Sequence, residues 1–264
     1  MDMGLTGKFA LVTGGSSGIG LGVARALCRE KCNIIIVGRD ISRLQKEAQN
    51  LKKDYSVEVS SIQADVSVAQ DCDFILKEVS RFTDKLHIII NNAGTGSNEK
   101  ILQSTDEKWQ YYWDLHVMAA VRLCRGLVPI MIRTGGGAII NNASICAVQP
   151  LWYEPIYNVT KAALMMLSKN LANELIAENI RVNTINPGLI LTPDWINTAK
   201  NLSRETDSNW EKYLDSVAEE NTTINRFGTI EELANFFVFL CSDKASYSVG
   251  STYQVDGGML KTLT

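Results

Sequence analysis

Short runs of β-branched and other apolar residues recur at 9–12, 34–37, 57–62, 87–90, 138–140 and 180–185, with longer stretches between them. A strand buried on both faces reads this way, as an unbroken apolar run and not as an alternation. Helical spacing fills 18–29, 42–53, 67–81 and 157–177. Strand therefore alternates with helix, and the fold class is α/β: a doubly wound, mostly parallel sheet of about seven strands with helices on both faces. The rhythm breaks only at 192–225, where Trp195 and Trp210 stand among charges and no strand pattern appears, as in a lid over a site or a disordered segment. Helical spacing returns at 230–241, and a last strand at 252–255 runs into Asp256-Gly257-Gly258. No linker or repeat interrupts the chain, so 1–264 reads as a single domain.

With 264 residues and 45% hydrophobic content, the chain can bury one substantial core. A formal charge of −3 supplies no field that would gather nucleic acid or an anionic membrane. No run approaches the roughly eighteen apolar residues of a membrane span, and Met1-Asp2-Met3-Gly4 does not open a signal peptide. A cytoplasmic protein with neither nucleic acid nor a membrane as partner is expected. Six cysteines without a CxxC pair read as reduced, buried thiols, and two histidines are too few for a metal site built on His and Cys.

Directly after the first strand comes Thr13-Gly14-Gly15-Ser16-Ser17-Gly18-Ile19-Gly20, followed by a helix. Glycines let the backbone approach a pyrophosphate, and the free N–H groups of the helix start hold it. The candidates are Gly14, Ser16, Ser17, Gly18, Ile19 and Gly20. Three residues separate Gly14 from Gly18, unlike G-x-G-x-x-G, and the Lys-Ser/Thr end of a P-loop is missing, which argues against an NTPase.

This TGxxxGIG turn resembles the cofactor turn of the short-chain dehydrogenase/reductase family, in particular its tropinone reductase-like and 3-oxoacyl reductase-like members. Asn91-Asn92-Ala93-Gly94 is similar to the family's NNAG, Asn186-Pro187-Gly188 to its PG turn and Val255-Asp256-Gly257-Gly258 to its VDGG. The resemblance implies a Rossmann domain binding NAD(P) and moving a hydride to or from a carbonyl or secondary alcohol. It also implies cofactor contacts from Asn92, Ala93, Gly94, Pro187, Gly188 and Ile190, with Thr192 at the carboxamide. Asp65, next to Val66, corresponds to the family's adenine contact; read from the residues alone, it is a helix N-cap.

At the end of the second strand, a carboxylate would bind the ribose 2′-OH of NAD, whereas a basic group would pair with the 2′-phosphate of NADP. The chain reads Val37-Gly38-Arg39-Asp40, with glycine where the family's acidic discriminator falls and Arg39 at its phosphate-binding position. NADP(H) is favoured over NAD(H). Ser17 stands where a second basic residue often sits, and Arg39 has Asp40 as an alternative partner.

Tyr157 and Lys161, four apart on a helix, project from one face. A free phenol has a pKa of about 10, and a nearby ammonium, with an oxidised nicotinamide ring, brings it toward neutrality. Ser144, thirteen residues upstream, lies at the carboxyl end of the fifth strand, where open α/β sheets bind ligands. The three match the family's Ser–Tyr–Lys triad, which implies that Tyr157 exchanges the proton, Lys161 also holds the nicotinamide ribose and Ser144 positions the substrate oxygen. In Asp114-Leu115-His116-Val117, His116 falls where the family commonly has a water-holding asparagine. Imidazole can serve that relay, or His116 is a buried, hydrogen-bonded side chain.

Substrate contacts are expected from the lid at 192–225, including Trp195, and from Cys146, Gln149, Trp152 and Tyr153. These aromatics suit a polyol or an amphipathic ring, or they pack the lid onto the core. Family resemblance further implies a homotetramer or dimer. The rival functions are NAD-dependent sugar or polyol oxidation and non-catalytic sensing of cofactor redox state.

Overall fold

The computed structural model describes residues 2–151, 153–206 and 209–262. The apolar runs become β1 (Phe9–Thr13), β2 (Asn33–Gly38), β3 (Val59–Gln63), β4 (Ile88–Asn91), β5 (Gly137–Asn142), β6 (Ile180–Pro187) and β7 (Thr252–Val255). All pair in parallel, in the order β3-β2-β1-β4-β5-β6-β7. The chain winds outward from β1 to β3, then returns to place β4 on the other side of β1. A cleft opens outside the carboxyl ends of β1 and β4, where that order reverses.

Helices α1 (Gly18–Arg29), α2 (Ile41–Tyr55) and α9 (Ile230–Cys241) cover one face of the sheet; α3 (Ala69–Phe82), α5 (Ala119–Thr134) and α6 (Pro155–Leu175) cover the other. Side-chain alternation feeds both layers. Ala10, Val12, Ile34 and Ile36 point into the first, Leu11, Ile35 and Val37 into the second, and all are fully buried. The expected helix at 157–177 begins two residues earlier, at Pro155, because proline's missing N–H and fixed φ suit the first helical position.

The run Asp106–Thr134 comprises α4 (Asp106–Trp113), a π-helical turn at Asp114–Met118 and α5. By length and composition it could cross a membrane, yet 61% of its most apolar window is buried inside the protein, as in a core helix.

Residues 192–225 have neither strand nor disorder in their described part: they fold into α7 (Pro193–Thr206) and α8 (Trp210–Asn221). Asn209 starts α8 by accepting hydrogen bonds from the Glu211 and Lys212 amides, and Leu214 and Ala218 turn inward.

Buried amides tie the sheet to α6. Asn91 Nδ2 donates to Asn141 Oδ1 at 2.8 Å, and Asn141 Nδ2 donates to Ser168 Oγ at 2.7 Å. Asn141 is fully buried, so its partners have no water to turn to. Asn141→Ala should lower the unfolding free energy by about 1–3 kcal/mol for each group left unpaired, read as a lower urea midpoint at unchanged slope.

Candidate active site

The β1–α1 turn presents a bare helix start. Gly14 and Gly18 take positive φ angles of 65° and 52°, and a Cβ at Gly20 would fall 2.2 Å from the Gly14 carbonyl oxygen. Ser17, at the N-cap, makes no side-chain capping bond. The first amides of α1 are thus free for an anion, at the positive end of the helix dipole.

From this turn a cavity of about 1210 Å³ runs along the strand ends. Ser16, Ser17, Ile19 and Arg39 line it, together with Asp65, Val66 and the Asn92–Ala93–Gly94 turn. Pro187, Gly188, Ile190 and Thr192 close it from the β6 side, and Ser144, Tyr157 and Lys161 stand at its far end. All the expected cofactor positions therefore meet in one cleft, and a dinucleotide fits the glycine cradle, which added side chains would fill.

At the β2 end, Arg39 lies 3.9 Å from the Asp65 carboxylate. Asp40 instead caps α2, accepting the Arg43 amide at 3.0 Å, and pairs with the Arg43 side chain at 3.6 Å. Arg43 lines the cavity and was not foreseen from sequence. Asp65 lines the cleft but does not cap α3, whose N-cap is Val68 without a side-chain cap; its Oδ1 instead accepts from the amide and hydroxyl of Ser67 in the turn before that helix. A Cβ at Gly38 would sit 3.0 Å from Ser16 Oγ, so an acidic side chain there would be crowded.

At the other end, Ser144 stands with Tyr157 in the cleft wall, and its hydroxyl accepts the Cys146 amide at 3.2 Å. Lys161 Nζ donates to the Asn142 carbonyl at 2.7 Å and lies 5.4 Å from the centre of the Tyr157 ring. Burial pushes the phenol well above its ordinary value, with further upward pushes from Cys146 and Glu154, while Ser144 opposes them. Burial also brings Lys161 down to about 8. Among the protein's own groups, then, burial outweighs the ammonium, and the phenol keeps its proton.

His116 does not line the cleft; it lies behind it, 2% exposed, with its ring edge-on to Tyr157 at 5.4 Å between centres. Its Nδ1 meets Thr160 Oγ1 at 2.8 Å. That hydroxyl can donate to the Ile156 and Tyr157 carbonyls, so it accepts from His116, which makes Nδ1 the protonated nitrogen. Nε2 faces Gly94, where a Cβ would be 3.0 Å away. Burial, then the charge of Lys161, lower the pKa to about 2.

Of the expected substrate residues, Cys146, Tyr153 and Trp195 line the cleft. Gln149 does not: its Oε1 accepts the Lys261 amide at 3.1 Å, which draws it toward the C-terminal segment. Trp152 lies outside the described residues. The same end gains Glu154, Asp194, Tyr213 and Met259. Nothing in their local sequence marks them, because separate turns and the helices α7 and α8 bring them together.

A parallel sheet presenting a bare helix start and a clustered phenol, hydroxyl and ammonium along one edge is the arrangement of a dinucleotide-dependent oxidoreductase. Known proteins agree. Residues 14–260 match the family described as enoyl-(acyl carrier protein) reductase. The chain is 35% identical over 259 residues to dehydrogenase/reductase SDR family member 4 of Oryctolagus cuniculus, covering 96% of this chain and 94% of that one. It is 32% identical over 271 residues to the uncharacterized oxidoreductase YvrD of Bacillus subtilis (strain 168), covering all of both. Among solved structures it resembles L-sorbose reductase from Gluconobacter frateurii, complexed with NADPH and L-sorbose, at 61% identity and a TM-score of 0.99 over the whole of both chains. The chain belongs to the short-chain dehydrogenase/reductase family of oxidoreductases.

Since the folded protein holds His116 neutral while an unfolded chain would protonate it near 6.5, stability should fall as the pH drops through that value. In imidazole NMR spectra recorded between about pH 5 and 8, the signals of His116 should stay fixed, because its charged form lies outside that window.

Proposed function

We propose that this protein is an NADPH-preferring reductase of a polyhydroxylated ketone, able to run in reverse on the secondary alcohol, with Tyr157 as the proton donor. The observation that carries the reading is the convergence of Ser144, Tyr157 and Lys161 at one end of the cavity whose other end holds the bare start of α1 and Arg39. When bound, the dinucleotide supplies the hydride.

The protein's share is positioning and proton movement. Ser144 and Tyr157 both direct hydroxyls at the carbonyl oxygen, and the Tyr157 Oη proton passes to it as the carbon is reduced. The resulting phenolate is favoured by the Lys161 ammonium beside the ring. With its pKa near 8, Lys161 remains mostly protonated at neutral pH and gives up a proton more readily than an ordinary lysine. His116 supports the ring from behind, in its neutral form.

NADP is favoured by the crowding around Gly38 and by Arg39 and Arg43 lining the adenosine end, where a 2′-phosphate has two guanidiniums within the same wall. The NADPH complex of the Gluconobacter enzyme supports this assignment. A hydroxyl-rich ketone suits the catalytic end. Burial, then the charge of Glu99, push the Glu154 carboxyl up to about 7, so it can donate as well as accept hydrogen bonds, while Asp194 and Tyr213 add polar partners. L-sorbose in the Gluconobacter enzyme is a ketose of this kind.

We assign the chain to one domain, 1–264, with 192–225 as its lid, working in the cytoplasm, as six buried free thiols favour. Assembly into a homotetramer or dimer through α6 is supported by Val159 and Met166, which are apolar and exposed.

In an assay with L-sorbose and NADPH, Tyr157→Phe should cut kcat by about 10²–10⁴-fold and leave NADPH affinity nearly unchanged. Full turnover in that variant would refute the role. Arg39→Asp should weaken NADPH relative to NADH; an unchanged preference would instead support the NAD-linked reading. Failure to turn over any of a panel of ketoses and polyols with either cofactor would favour the sensing reading.

A further inference from the structure

The helix that carries Tyr157 has no cap of its own. Its N-cap residue, Glu154, makes no side-chain capping bond, and Pro155 has no N–H to satisfy. The next two amides are answered from another part of the chain: Ile156 N donates to Glu99 Oε1 and Tyr157 N to Ser97 Oγ, both at 3.3 Å. Glu99 also donates its own amide to the Tyr153 carbonyl at 3.2 Å.

The capping carboxylate is deeply set. Its side chain is 7% exposed, and its other oxygen lies 2.7 Å from Lys108 Nζ on α4. Burial alone would push Glu99 up, but Lys108, Ser97 and the Ile156 amide together hold it below the ordinary carboxylate range. A negative group at a helix start is favoured by the dipole, and a buried carboxylate with three such partners has few other places to go. Neighbouring Gly96, whose carbonyl accepts the Tyr112 hydroxyl at 2.8 Å, packs its α-carbon against Glu154; a Cβ there would meet Glu154 Oε1 at 2.4 Å.

We propose that Glu99, held by Lys108, is a positioning residue for Tyr157: with Ser97 it caps the phenol-bearing helix from outside and clasps residues 95–100 to the rim of the cleft. The inference rests on Tyr157 being the proton donor, since only then does the placement of that helix start set the rate. The same anion faces Glu154, as do Tyr112 from α4, Cys146 from the turn after β5, and Tyr153 and Tyr157 beside it. Removing the Glu99 charge therefore lowers the pKa of Glu154 and leaves the other facing groups in place.

The test compares Glu99→Ala, Glu99→Gln and Ser97→Ala in the full-length protein with NADPH and L-sorbose. Glu99→Ala should lower kcat about 10- to 100-fold, the scale of a small misplacement, with the NADPH Kd within about twofold of the parent. Hydrogen exchange of a peptide spanning residues 153–160 should speed up in parallel. Glu99→Gln, whose amide oxygen still accepts the Ile156 N–H, should recover most of kcat, and the acid limb of its kcat/KM profile should move to lower pH. Ser97→Ala, a smaller deletion that removes the Tyr157 amide's acceptor and one of Glu99's partners while leaving the Glu99 carboxylate on the Ile156 amide, should show a milder version of the same slower turnover and faster exchange. Parental kcat and exchange in Glu99→Ala, or equal impairment in Glu99→Ala and Glu99→Gln, would overturn the proposal. Tyr157→Phe separates the two readings: if it is inactive while Glu99→Ala is fully active, only the positioning role falls, whereas an active Tyr157→Phe removes both.

Discussion

Thr13 is the pivot on which the site turns. Its hydroxyl donates to the Ile90 carbonyl at 3.3 Å and accepts the amides of Asn92 and Ala93 at 2.9 and 3.0 Å. Asn92 Nδ2 returns a bond to the Thr13 carbonyl at 2.9 Å, Asn142 Nδ2 donates to Asn92 Oδ1 at 2.9 Å, and Lys161 Nζ donates to the Asn142 carbonyl at 2.7 Å. Strands that leave a parallel ladder strand their last backbone groups, and here the side chains of Thr13, Asn92 and Lys161 take them up. The phosphate turn and the ammonium hang from this one stitched rim. Their separation is consequently set by the sheet, the stiffest part of the molecule, and not by the loops around it.

Within that rim, burial drives ionisable groups toward their neutral forms: Tyr157 and Glu154 up, Lys161 and His116 down. Lys161 reinforces the effect on His116, since a second cation beside the first is doubly costly. The Lys161 ammonium thus stands beside a neutral phenol. Under the proposed reaction, charge developing on a substrate oxygen would be met by that ammonium and by oriented dipoles in a dry setting, where they act more strongly than in water.

The features legible in the sequence are those written locally. Strand runs, the Gly14–Gly20 turn and the Tyr157–Lys161 spacing depend on residues close in the chain, and such patterns keep their meaning wherever the segment ends up. Arg43 was missed because its side chain rejoins the cleft one turn along α2, where it reads as an ordinary surface charge. Glu154, Tyr213 and Met259 belong to three separate segments that share a wall only after the sheet is closed over by α7 and α8. The helices within 192–225 were hidden for a related reason. They bury a narrow stripe, Leu214 and Ala218 in α8, so the polar remainder hides their periodicity. Gln149 sits close to Ser144 in sequence, yet a single bond to the Lys261 amide turns it away.

The π-helical turn at Asp114–Met118 explains how a residue four after Tyr112 comes to support the phenol. A wider turn inserts one extra residue into the helix and rotates the following face, at some loss of hydrogen-bond geometry. Here the rotation lines up Tyr112, His116 and Tyr157, with ring centres 5.6 and 5.4 Å apart. The ion pair between Asp114 and Arg122 and the His116–Thr160 hydrogen bond offset that loss on opposite sides of the helix. With Nδ1 engaged by Thr160, Nε2 faces the space above Gly94, where a Cβ would lie 3.0 Å from Nε2 and 3.4 Å from Lys161 Nζ. Any side chain at position 94 would fill the gap between imidazole and ammonium. The glycine of the Asn92–Ala93–Gly94 turn is therefore required by the packing behind the cleft as much as by a ligand in front of it.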